Sequence, residues 1–229
     1  MCGRTALTAS PDDLRDIFGL DETPTLAPHY NVPPSQPLAV VRVMRDRGRK
    51  LELLRWGLVP SWADDAKIGH RLSLARIETA ATTPAFREAV RRRRCLVVVD
   101  GFYEWKRDGE NASRPYFLRR PDGAPFALAG LWDRWVSKDG EVIESCAILT
   151  QAARPPADAV HERMPVVLEK DAWDAWLDPA QGDVSAILAP RTPDLVTYPV
   201  TSYVNDPRHD DERCLEKSEP REPEQGSLF

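Results

Sequence analysis

The chain opens with Met-Cys-Gly-Arg, and its first chemical question is what Cys2 can do. An initiator methionine is usually trimmed when the next side chain is small. Trimming here would leave the free amine and the thiol of Cys2 on one residue. An α-amine has a pKa near 8, so roughly a tenth of it is neutral and nucleophilic at pH 7 without help. Such an amine condenses with an aldehyde to an imine, and the adjacent thiol then closes on the imine carbon to give a thiazolidine ring. An internal cysteine has no free amine and cannot do this. The competing reading is that residue 2 of a frayed terminus carries no role.

Two further residues suit proton transfer. Glu104 sits in the aromatic run GFYEW at 101–105, and a carboxyl in apolar surroundings has a raised pKa that lets it shuttle protons near neutrality. If the run is extended, Phe102 and Glu104 share one face while Tyr103 and Trp105 share the other. A structural ion pair with a nearby arginine would explain Glu104 equally well. His161 opens the run HERMP after the turn-forming Pro155 and Pro156. Its side chain has the pKa for acid–base work, or it is simply a satisfied polar residue. The patterns GxxxxGK[ST], GxGxxG, GxSxG and HExxH are absent, which removes the usual phosphate-loop, dinucleotide, hydrolase and zincin readings.

These residues need a scaffold, and 229 residues with 42% hydrophobic content are enough to bury a sizeable core. Ser10, Pro11, Asp12 and Asp13 predict an N-cap and a helix running to about Phe18. Thr83 and Pro84 repeat the device ahead of FREAVRRRR. Strand character marks PLAVVRVM, LELLRWGLV, the β-branched run CLVVVD, and the segments RPYFLRR, PFALAGLW and IESCAILT. A short helix is expected from about Asp171 to Leu177. Strands dominate without regular strand–helix alternation, so the expected class is α+β, a curved, largely antiparallel, barrel-like sheet with peripheral helices.

Composition narrows the function classes. Cys2, Cys95, Cys146 and Cys214 form no CxxC pair and the four histidines are scattered, so neither a metal nor another cofactor is expected. The first residues contain no signal-like apolar run, and no stretch reaches the roughly 18 apolar residues of a membrane helix. A cytoplasmic monomer is expected. The net charge is −5, but from Asn205 onward eight acids face four bases. Residues 1–204 are thus near neutral, with basic spots such as RRRR at 91–94, and a local nucleic-acid surface is compatible with the charge. The acidic, proline-rich 205–229 segment is expected to be a disordered tail beyond a single 1–204 domain.

Taken together, MCGR, HYNVPPSQ at 29–36, RWGLVPSWA at 55–63, PAFREAVRRRRCLVVVDGFYEW at 84–105 and HERMPVVL at 161–168 resemble the SOS response-associated peptidase (SRAP) family, from Cys2 to about Tyr203. The resemblance implies the SRAP-like fold and binding of single-stranded DNA that contains an abasic site. It also implies a thiazolidine crosslink between the N-terminal cysteine and the ring-opened sugar, with Met1 lost first, by the protein's own activity in one version. Cys2 would be the nucleophile, Glu104 would assist proton transfers at the amine, and His161 would promote opening of the deoxyribose. Arg4 and Arg76 would hold phosphates, Asn31 would lie on the DNA-binding surface, and Trp56 and Trp62 would stack on bases or else pack in the core.

Two features stand apart. Where the family has Asn-Ala-Arg beside the sugar, this chain has Leu74, Ala75 and Arg76. Loss of that amide predicts slower or less stable crosslinking, by about 0.5–1.5 kcal/mol for one net hydrogen bond. The chain ends QGSLF, whose Gln225, Leu228 and Phe229 resemble the short peptide that docks bacterial proteins onto the replication sliding clamp. Two rival classes stay open: a cysteine hydrolase using Cys2 and His161, and a module that binds single-stranded DNA or the clamp without covalent chemistry.

Overall fold

The computed structural model of the chain describes residues 3–43, 48–108, 112–189 and 191–218. Its strands are, in chain order, β1 (Arg4–Leu7), β2 (His29–Val32), β3 (Pro37–Val43), β4 (Arg49–Trp56), β5 (Leu74–Arg76), β6 (Arg94–Val99) and β7 (Gly101–Asp108). They continue with β8 (Ala112–Arg119), β9 (Phe126–Val136), β10 (Val142–Ala152), β11 (Arg163–Pro165), β12 (Val167–Leu168) and β13 (Val196–Pro199). The helices are α1 (Pro11–Phe18), α2 (Ile77–Ala80), α3 (Arg87–Arg92) and α4 (Trp173–Leu177).

β4, β3, β6, β9 and β10 pair in that order, and a parallel pair of β10 with β4 through Ser145–Arg55 and Cys146–Trp56 closes them into a five-stranded mixed barrel. A second sheet, ordered β13-β8-β7-β1-β2, is antiparallel throughout. The α+β class with a barrel-like sheet therefore holds. β6 shows why its sequence is a continuous apolar run. Leu96 and Val98 pack with Leu14 and Phe18 of α1 and Trp176 of α4. Cys95, Val97 and Val99 pack with Phe102 and Leu118 of the second sheet. Successive residues face opposite ways and both faces are covered.

The helix signals are realised unevenly. Ser10 Oγ accepts from the Asp13 backbone N–H at 3.1 Å and Gly19 ends α1 in the left-handed region at φ 61°. The Thr83-Pro84 pair does not cap α3: the Thr83 hydroxyl donates to Thr79 O at 2.8 Å, and the helix begins at Arg87. β4 stops at Trp56 rather than running to Val59. Gly57 has φ 132°, and a Cβ there would come 2.6 Å from Gly69 O.

One expectation is corrected. Residues 205–218 are packed onto the second sheet and are not a disordered tail. Glu212–Leu215 forms a 3₁₀ turn, Cys214 is fully buried, and Lys217 bridges to Val200. Composition misled because the acids are consumed locally. Asp210 accepts from the Tyr30 and Asn31 backbone N–H groups, and Asp211 holds Arg213. Among the described residues no helix is long and apolar enough to cross a membrane.

Candidate functional site

Cys2 lies outside the described residues, so the site is built from what surrounds its neighbours. β1 runs antiparallel to β7 with Ala6 opposite Gly101, Thr5 opposite Phe102 and Arg4 opposite Tyr103. One further step of that register sets Gly3, the residue after Cys2, level with Glu104. Glu104 is fully buried. As its strand geometry requires, it shares a face with Phe102, which packs in the apolar cluster between the sheets, while Tyr103 and Trp105 turn to the opposite cluster.

That cluster joins segments far apart in sequence. Phe102 shares it with Leu74 of β5, Met164 of β11 and Ala157, so the strand that carries Glu104 meets the LARIET and HERMP segments across it. β10 organises the latter two. Arg76 is in register with Thr150 on one pairing and Pro165 with the same Thr150 on the other. His161 follows a 3₁₀ turn at Ala157–Ala159 and is held by its backbone N–H donating to Ala157 O at 2.9 Å. Its Nδ1 accepts the Arg163 backbone N–H at 2.9 Å, so the neutral ring carries its proton on Nε2. Burial pushes its pKa below the ordinary value, and the charge of Arg107, on the strand of Glu104, acts in the same direction.

Two arginines flank Thr150. Arg76 is exposed. Arg163 is mostly buried, donates to Thr150 O at 2.7 Å, and grips Glu78 at 2.6 and 3.0 Å. The hydrogen bonds from Arg163 hold the Glu78 carboxyl below its usual range. Neither Arg163 nor Thr150 was singled out from sequence. Arg163 sits inside HERMP, where an arginine two residues after a candidate histidine is a usable signal. Thr150 carries no signal beyond strand propensity.

The remaining predicted residues separate into those that face solvent and those that do not. Trp62 is 58% exposed on a loop pinned to the barrel by Val59 N–H to Ser145 Oγ and Ser61 N–H to Asp133 Oδ2. Trp56 is fully buried and its Nε1–H donates to Ser73 O at 2.9 Å, which corrects its assignment as a base-stacking residue. Asn31 is also corrected. It is 1% exposed, its amide donates to the carbonyls of Val204, Asp206 and His209, and its Oδ1 accepts from Arg4 Nη1 at 2.7 Å. No polar group of that side chain is left to face DNA. Arg4 is further anchored on Val204 O at 2.9 Å, with Trp105 beneath it at 5.9 Å. Leu74 is half-buried against the inter-sheet cluster. Gln225, Leu228 and Phe229 lie outside the described residues.

A buried carboxyl, an imidazole that carries its proton on Nε2, and the exposed Arg76 suit acid–base work beside an anionic ligand. A family model described as SOS response associated peptidase (SRAP) matches residues 1–207. The chain is 35% identical to abasic site processing protein YoaM of Bacillus subtilis, over 94% of its own length and 98% of that protein's. It is 29% identical to abasic site processing protein HMCES of Xenopus tropicalis, over 94% of this chain and 78% of the relative. A solved protein of Bacteroides thetaiotaomicron shares the fold, with a TM-score of 0.84 at 24% identity, covering 95% of this chain and all 100% of that one. A Bordetella bronchiseptica protein gives 0.75 at 29% identity, over 88% of this chain and 100% of its own.

Proposed function

The chain belongs to the SOS response associated peptidase (SRAP) family, and on that premise we propose that it processes abasic sites in single-stranded DNA by forming a covalent crosslink through Cys2. The observation that carries the reading is the buried carboxyl of Glu104, one register step beyond the Arg4–Tyr103 pair and so level with Gly3, the residue that follows Cys2. The abasic sugar is mostly a closed hemiacetal, which an amine does not attack. A proton delivered by His161 to the ring oxygen as the anomeric hydroxyl loses its own opens the ring to the aldehyde. The neutral amine of Cys2, exposed once Met1 is removed, adds to the aldehyde carbon. The resulting carbinolamine leaves water behind as it becomes the imine, and Glu104 relays the protons that this exchange requires. The thiol then closes on the imine carbon, its proton passing to nitrogen, to give the thiazolidine. One water is released overall, and nothing is oxidised or reduced.

Arg76 serves the DNA strand rather than the reaction: exposed beside Thr150 it suits a backbone phosphate, while Arg163 braces that end of β10 through Glu78 and Thr150, and Trp62 offers a base a stacking surface. Stable occupation of the lesion would shield it during replication, and the same site would supply the Met1 cleavage. Docking of Gln225, Leu228 and Phe229 on a sliding clamp would place the protein where such lesions arise. If a peptide of residues 217–229 fails to bind purified clamp, that part of the reading is withdrawn.

The test mixes the full chain with a single-stranded oligonucleotide bearing one abasic site and separates the products on a denaturing gel. The expected result is a shifted band that is lost with Cys2→Ala and absent with an oligonucleotide of intact bases. Affinity that survives without any shifted band would support the non-covalent alternative instead.

A further inference from the structure

We propose that residues 219–229 of this chain dock on its own body, as a strand added along the free edge of β13 that delivers Leu228 and Phe229 to the cavity beyond that strand. The inference does not depend on the reaction at Cys2.

β13 stands at one side of the second sheet, paired with β8. Along an antiparallel strand the backbone groups of successive residues point to opposite sides. Val200 N–H donates to Pro115 O at 3.0 Å, on the β8 side. Pro199 O and Thr201 N–H therefore point away from β8, and residues 216–218 meet them there. Ser218 N–H donates to Pro199 O at 3.1 Å and Thr201 N–H donates to Glu216 O at 3.0 Å, which makes Val200 and Lys217 an antiparallel pair. Continuing that pairing sets Glu219 opposite Tyr198, Pro220 opposite Thr197 and Arg221 opposite Val196. The Thr197 N–H, which faces away from β8 by the same alternation, gains Pro220 O as its acceptor. Pro220 has no N–H to return, which an edge strand tolerates and a central strand does not. An open edge is a template for any chain, and the segment that already enters this one is the protein's own.

The cavity supplies the anchor. It encloses about 400 Å³, and Asp194, two residues before β13, lines it together with Ile17, Pro121, Pro125, Phe126, Leu168 and Trp173. Arg120 ties it to the start of the strand: Nη1 donates to Asp194 O at 3.2 Å and Nη2 holds Glu169 at 2.6 Å. The same pairing brings Pro223 level with Asp194. Residues 224–229 then span up to about 20 Å when extended, enough to carry Leu228 and Phe229 into the cavity. These two are the large apolar side chains of 219–229, which is otherwise Glu, Pro, Arg, Gln, Gly and Ser, so burying them is the main apolar gain the segment can make. Docked, the segment withholds both side chains from any other pocket, that of a sliding clamp included.

The experiment follows NMR hydrogen exchange at the Thr197 amide in the full chain, in a chain shortened to end at Ser218, and in a full-length Leu228→Glu, Phe229→Glu variant. Both changes lie outside the body, and the Val200 amide, bonded to Pro115 O, reports that the sheet stays folded. The expected result is exchange at Thr197 at least about tenfold slower in the full chain than in the other two forms, with Val200 alike in all three. Equal exchange at Thr197 in the three forms would overturn the docking. Slow exchange kept by the Leu228→Glu, Phe229→Glu variant would remove the cavity as the anchor, and protection that grows with protein concentration would give the edge to a second copy instead. The clamp is absent from this measurement, so failure of the 217–229 peptide to bind it leaves the result standing.

Discussion

Arg163 holds Glu78 with both arms of its guanidinium, Nη1 at 2.6 Å and Nη2 at 3.0 Å, joining the segment after β5 to the start of β11 across the end of β10. Glu78 is half exposed, so the pair contributes less than about 1 kcal/mol to folding. Its effect is to aim Arg163. Glu78→Gln is therefore expected to unfold within that margin of the unmodified chain in a denaturant titration, yet to crosslink more slowly in single-turnover assays. An unchanged rate in a folded variant would mean that Glu78 does not set the geometry of Arg163.

The pH profile follows from two groups. The His161 pKa is lowered by burial from its ordinary 6.5, and the Cys2 amine titrates near 8. An acid with the lower pKa working with a base of the higher one gives a rate plateau between the two values. The rate falls below the His161 pKa and again above the amine's. The acid limb is thus expected at a pH below 6.5. Removing the acid removes the alkaline limb and moves the acid limb up to the amine's pKa, so His161→Gln should leave a rate that rises through about pH 8 and then levels. A bell-shaped profile retained in that variant would exclude His161 as the proton donor.

Leu74, where the resemblance to the family implies an asparagine, is half-buried beside Ile148 and Met164. Leu74→Asn restores an amide beside the sugar and is expected to raise the crosslinking rate by up to about tenfold, the equivalent of one net hydrogen bond. Part of an apolar contact is lost in exchange, so a lower melting temperature should accompany the faster reaction. A rate equal to that of the unmodified chain would show that Leu74 does not limit it.

The two tryptophans of RWGLVPSW separate binding from folding. Trp56 is enclosed and hydrogen-bonded to Ser73 O, so Trp56→Ala should cost about 3–5 kcal/mol of stability. Trp62 is exposed, so Trp62→Ala should unfold almost normally and lose about 1–3 kcal/mol of single-strand affinity, the worth of one stacked base. Chemical denaturation and fluorescence anisotropy distinguish the two.

What could be read from sequence was what local pattern controls. The buried run of β6, the capped helix α1 and the alternation of Phe102 and Glu104 with Tyr103 and Trp105 each follow from periodicity or from one backbone bond. Pairing across the chain was not legible. Only the register of β10 sets Arg76 and Pro165 against one residue, Thr150, and no spacing in the sequence encodes it. Burial misled for Trp56 and Asn31, whose motif membership says nothing about which way a side chain turns. The acidic 205–218 segment misled because its carboxylates find partners on β2 and within its own turns, which composition cannot register.

The most direct test of the central claim is the intact mass of the covalent complex, taken with and without borohydride. The expected species is the protein lacking Met1 plus the abasic oligonucleotide minus one water, with a mass unchanged by borohydride because a thiazolidine has no imine to reduce. A complex that retains Met1, or one that gains two hydrogens on reduction, would contradict a thiazolidine at Cys2.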